Sequence, residues 1–116
     1  MISPNEAVVI TKKCHEDSYR EARETWVPYW TSILEKNIVN AANRGEGKCK
    51  FELRWAERLG CKIPSRLIIT YTESILNEEV LPNSGYHIVK KSVKGDATTK
   101  YEIIWLSGEE VNDSRH

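Results

Sequence analysis

The chain has 116 residues, room for one domain built round a single core. Hydrophobic residues make up 40% of it, enough for a folded globule, but no run approaches the ~18 apolar residues that span a bilayer. Its 17 basic residues balance 17 acidic ones, so it lacks the basic surplus on which general nucleic-acid binding draws.

Ser3-Pro4-Asn5-Glu6 opens the first element as a capping sequence, with Ser3 as cap and Pro4 at the first helical position. A short helix is predicted over Ala7 to Lys13, and a second start at Asp17-Ser18. The stripe Tyr19, Ala22, Trp26, Trp30, Ile33, Ile38 and Ala41 then keeps mostly three- and four-residue spacing. Pro28 falls inside this stripe and removes a backbone hydrogen bond, which predicts a kink or a tight break there. Gly45 suits the left-handed residue that closes the helix.

Lys48 to Trp55 alternates strictly. Cys49, Phe51, Leu53 and Trp55 are expected on the buried face, with Lys48, Lys50, Glu52 and Arg54 on the other. A connection with a turn at Gly60 follows. Pro64-Ser65 then opens a stretch of two readings. Leu67 to Thr72 is β-branched and strand-like. Ile68, Tyr71, Ile75, Leu76 and Val80 keep helical spacing to Leu81, which favours one helix ended by Pro82-Asn-Ser-Gly85. Residues 86–93 and 99–106 read as two strands of a hairpin, and residues 107–116 as a polar, disordered tail. The expected fold is α+β: N-terminal helices and one further helix packed on a three-stranded antiparallel sheet, a single domain over 1–106.

Chemistry is sparse. There is no Gly-rich phosphate loop, no Gly-x-Ser-x-Gly elbow and no histidine pair on a helix face, so no enzyme and no catalytic residue is indicated. Cys14, Cys49 and Cys61 are an odd set without framework spacing, read as reduced thiols of a cytoplasmic protein, and no leader pattern opens the chain. Together with His15 and His87 they lack the paired Cys-x-x-Cys knuckle of a zinc site. Neither a metal nor a cofactor is implied, nor a membrane.

Charge and aromatic residues are unevenly placed. From Arg44 to Arg66 seven basic residues stand against three acidic ones. Lys48, Lys50 and Arg54 on the open strand face, with Arg44 before them, serve either solubility or phosphate binding. Trp26-Val-Pro-Tyr-Trp30 places three large rings on one side of a helix, Trp26 within about 60° of both Tyr29 and Trp30, either as core packing or as a surface that stacks a base or anchors a partner. The candidate ligand site is therefore Arg44, Lys48, Lys50, Arg54, Tyr29 and Trp30.

Ala41-Ala42 before a glycine stop, the basic strand, Gly85-Tyr86-His87-Ile88-Val89 and the closing Ile103-Ile104-Trp105 resemble a type of small α+β accessory protein of tailed bacteriophages and prophages. The likeness covers roughly residues 33 to 106 and transfers a fold but no catalytic residue. It implies a stoichiometric, non-enzymatic protein in the host cytoplasm, an oligomer that sequesters an anionic nucleotide-like signal of a bacterial defence system. The alternative it implies is an inhibitor that covers a host defence or nucleic-acid enzyme through an aromatic surface. Homo-oligomerisation is expected separately, because so small a sheet with so many aromatic residues leaves apolar surface to cover.

Overall fold

The computed structural model describes residues 1–55, 64–94 and 98–106, the side chains at 54, 90–94 and 98 excepted. The turn expected at Gly60, the centre of the hairpin loop and the tail at 107–116 lie outside these residues, as does Cys61.

The N-terminal elements are one helix rather than two. It runs as α1 (Pro4–Glu21), a five-residue π turn (Ala22–Trp26) and α2 (Val27–Asn43). At ~1.5 Å per residue it is about 60 Å long. Ser3 caps it, its hydroxyl accepting from the Glu6 N–H at 3.2 Å. Pro28 does not break it. An α-helix would press the proline ring against the carbonyl four residues back, but here the Val27 N–H reaches the Ala22 carbonyl, five residues back. The looser turn makes room for the ring.

The π turn also sets the helical phase. It amounts to one inserted residue, and each residue turns an α-helix by about 100°. Ser18 and Ala22 are the buried residues of the first half; Trp30, Leu34, Ile38 and Ala41 are those of the second. Counted along a plain α-helix, the second set would start about 100° round from the first. The insertion removes that offset, so both halves bury a common face.

Both long helical stretches end alike. Gly45 (φ 82°) and Gly85 (φ 90°) take the left-handed conformation. Gly45 N–H donates to Ala42 and Glu46 N–H to Ala41; Gly85 N–H donates to Pro82 and Tyr86 N–H to Leu81. Each is a Schellman stop that satisfies the last carbonyls of its helix.

Of the two readings of residues 65–82, the helix is the one observed. It comprises α3 (Arg66–Ile75), a second π turn (Leu76–Val80) and a last turn (Leu81–Asn83). Ser65 caps it, accepting from the Ile68 N–H at 3.3 Å. Pro82 follows its π turn as Pro28 follows the first, and Leu81 N–H again reaches five residues back, to Leu76. The β-branched run Leu67 to Thr72 goes helical because the apolar spacing buries Thr72, Ile75 and Leu76 on one side.

The sheet holds β1 (Lys48–Arg54), β2 (His87–Lys94) and β3 (Thr98–Ile104) in the order β1-β3-β2, antiparallel throughout. Helix α2 packs on β1, while α1 and the first π turn pack on α3. Trp30, Leu34, Ile38 and Ala41 meet Cys49, Phe51, Leu53, Trp55, Tyr101 and Ile103 in one core, closed by Leu76 and Leu81. The alternation expected for β1 is observed, with Cys49, Phe51 and Leu53 buried and Lys48 and Lys50 exposed.

Gly47 joins α2 to the sheet at close quarters. Its carbonyl accepts from the N–H groups of Trp105 and Leu106, and an added Cβ would lie 2.5 Å from the Leu106 carbonyl oxygen. Backbone cannot yield as a side-chain tip does. Gly47→Ala is expected to cost ~1–3 kcal/mol in urea denaturation; an unchanged midpoint would mean that Leu106 moves aside freely.

Candidate functional site

Arg44 caps the end of α2, and Lys48 and Lys50 follow on the open face of β1. Arg44 is already engaged. It holds Glu46 through a fork, Nε to Oε1 at 3.1 Å and an Nη to Oε2 at 3.3 Å, and this keeps the Glu46 carboxyl below the usual carboxylate range. The open face alternates in sign. Lys50 lies opposite Glu102, and Glu52 opposite Lys100, whose Nζ is 3.4 Å from a Glu52 oxygen. A shallow depression of about 330 Å³ is lined there by Lys50, Phe51, Glu52, Lys100, Tyr101 and Glu102. Its two lysines are matched by two glutamates, so it offers no concentrated positive field. The side chain of Arg54 is outside the described residues.

The rings lie on the other side of the sheet. Trp30 is 0% exposed and packs edge-on against Phe51 and Trp55, with centroids at 6.1 and 5.4 Å. It is a core residue and presents no face to a ligand, which corrects its place in the expected site. Tyr29 is 37% exposed and leans edge-on against Trp26 and Trp30. Because strand neighbours point to opposite faces, Lys48 and Lys50 are directed away from the surface on which Phe51 carries this cluster. The pocket of cations closed by an aromatic ring is not assembled: the sheet separates its two halves.

Burial, with Glu46 nearby, pushes the Cys49 thiol up, the reverse of what activates a nucleophile. No three His, Cys, Asp or Glu side chains among the described residues could hold a metal ion. Among the described residues no helix is long and apolar enough to cross a membrane.

Two features have no counterpart among the expectations from sequence. The first is a latch between α1 and α3. His15 Nδ1 and the Tyr71 hydroxyl share a 2.6 Å hydrogen bond, and Tyr19 stands edge-on to Tyr71. Arg23 donates to both Glu79 oxygens at 2.6 Å and to the Tyr19 hydroxyl. Only the fused helix and its phase bring these residues together.

The second is the apolar start of α1. Val8, Val9 and Ile10 are 49%, 67% and 60% exposed. Three successive positions at about 100° each encircle most of a helix. Apolar side chains at successive positions are ordinarily at least partly covered, and here all three stand in solvent. The signal was in the run Ala7-Val8-Val9-Ile10, which is too continuous for an amphipathic surface helix.

Compared with known proteins, the chain matches no family model, no curated protein and no solved structure.

Proposed function

We propose that the chain is a non-enzymatic interaction protein that acts stoichiometrically, docking the apolar start of its first helix on a protein surface. The exposure of Val8, Val9 and Ile10 on successive sides of α1 carries this reading. Solvated apolar side chains gathered in one place mark contact surfaces, and an apolar helix in a groove is a recurrent recognition mode. A phage accessory protein that covers a host defence or nucleic-acid enzyme in the cytoplasm is the setting we propose, on the resemblance of residues 33 to 106.

Sequestration of an anionic nucleotide-like signal is the second reading. Its support is the pair Lys48 and Lys50, exposed side by side on β1. The interleaved glutamates and the burial of Trp30 weigh against it.

A photo-reactive benzophenone side chain at Val9 or at Lys50 separates the two. Illumination in producing cells is expected to give a covalent protein adduct from position 9 and none from position 50. Absence of any adduct from position 9 would remove the docking reading. Heat on titration with linear or cyclic nucleotides, lost in the Lys48→Ala/Lys50→Ala variant, would install the second.

A further inference from the structure

The geometry points to a second copy of this chain as the protein that α1 meets, paired with it antiparallel about a twofold axis near Cys14 and His15. The inference rests on the docking reading and names a second copy as its occupant, so that a host enzyme is covered by the pair and not by this face of α1. Three observations carry it.

The first is position. Ser18 and Ala22 mark the side of α1 turned to the rest of the molecule, and His15 and Tyr19 reach α3 from its flank. At about 100° per residue, Val9, Glu16 and Arg20 fall within about 40° of one another on the opposite side. An open groove there is lined by Val9, Lys12, Lys13, Glu16, Asp17 and Arg20. A second helix reaches it without displacing anything described.

The second is charge. Along the groove two lysines, Lys12 and Lys13, precede two acids, Glu16 and Asp17. Lys12, Lys13 and Glu16 form no ion pair among the described residues, and Asp17 pairs only with Arg20. A twofold axis normal to two antiparallel helices sets each flank of one against the same flank of the other. On one flank Lys13 then meets Asp17 of the second copy; on the other Lys12 meets its Glu16. Each contact occurs twice, as an isologous interface requires. A parallel pairing would set lysine on lysine and acid on acid, so the pattern selects the antiparallel one.

The third is the apolar component. In the same register Val9 lies against the aliphatic stem of Arg20 from the other copy, which covers the most exposed valine of α1. Charge sets the register, and the apolar contact excludes water.

Sedimentation equilibrium of the full chain tests the pairing with two charge variants. The first, Lys12→Glu/Lys13→Glu, is acidic at all four paired positions; the second, Glu16→Lys/Asp17→Lys, is basic at all four. Wild type is expected to dimerise at about 100 µM. Each variant alone is expected to be monomeric, and an equimolar mixture to recover the dimer. A mixture of misfolded variants would not recover it, and Val9→Ser, which removes the apolar contact and leaves all the charges in place, should also weaken wild-type dimerisation at least tenfold. A monomeric wild type overturns the inference, as does a variant that dimerises unchanged or a mixture that stays monomeric. The benzophenone at Val9 keeps the two levels apart. An adduct of a different protein with a monomeric wild type overturns self-pairing and leaves docking standing; no adduct at all removes both.

Discussion

Trp30→Ala is expected to lower the unfolding free energy by ~3–5 kcal/mol, the range for deleting a buried aromatic side chain. The indole is fully buried and touches rings from two other parts of the fold, Phe51 of β1 and Trp55 just beyond it. Its loss would open a cavity between α2 and the sheet, which pack on one another. A domain of this size has only ~5–15 kcal/mol to lose, so the variant should unfold at a markedly lower urea concentration. Tyr29→Ala, at the half-exposed neighbouring position, serves as comparison and should cost far less. A Trp30→Ala midpoint within ~0.5 kcal/mol of wild type would mean that the ring is not part of the core.

Deletion of Thr25 is expected to be nearly as damaging, although the residue is exposed. Removing one residue from the first π turn returns the helix to plain α geometry and brings Pro28 against the carbonyl four residues back, at ~3 kcal/mol. It also turns α1 by about 100° relative to α2. The contact with more buried side chains, α2 on the sheet through Trp30, Leu34, Ile38 and Ala41, should keep its place, so α1 would swing off α3 and lose the His15–Tyr71 and Arg23–Glu79 contacts. Pro28→Ala in the deleted chain separates the two costs. It should recover stability without restoring the latch, read by NMR from the His15 and Tyr71 ring protons. Full recovery of both would show that the π turn only accommodates the proline and sets no phase.

What was legible in the sequence was local. The alternation of Cys49 to Leu53, the cap at Ser3, the start at Pro64-Ser65, the stop at Gly45 and the end at Pro82 to Gly85 each depend on a few adjacent residues, and each stands where expected. The fusion of the N-terminal helices was not legible, because Asp17-Ser18 reads locally as a second start while the helix runs through it and buries Ser18; nor was the turn at Pro28. A proline is weighed by the hydrogen bond it removes, and nothing adjacent to Pro28 announces a turn that moves the opposing carbonyl. The expected site failed on distance in the chain. Whether Trp30 faces solvent or the sheet depends on the phase of a helix more than twenty residues long. Whether Lys50 is a free cation depends on which strand lies beside it, and the order β1-β3-β2 places Glu102 there.

The π turn has one more consequence, for how the molecule comes apart. Pro28 carries no amide proton, so the long helix lacks one of its own hydrogen bonds just where its supports change over. On one side α1 leans on α3; on the other α2 leans on β1. Cooperativity along a helix passes from bond to bond, and it is thinnest at this point. Melting of α1 therefore need not propagate into α2, and one unbroken helix holds two units of separate local stability.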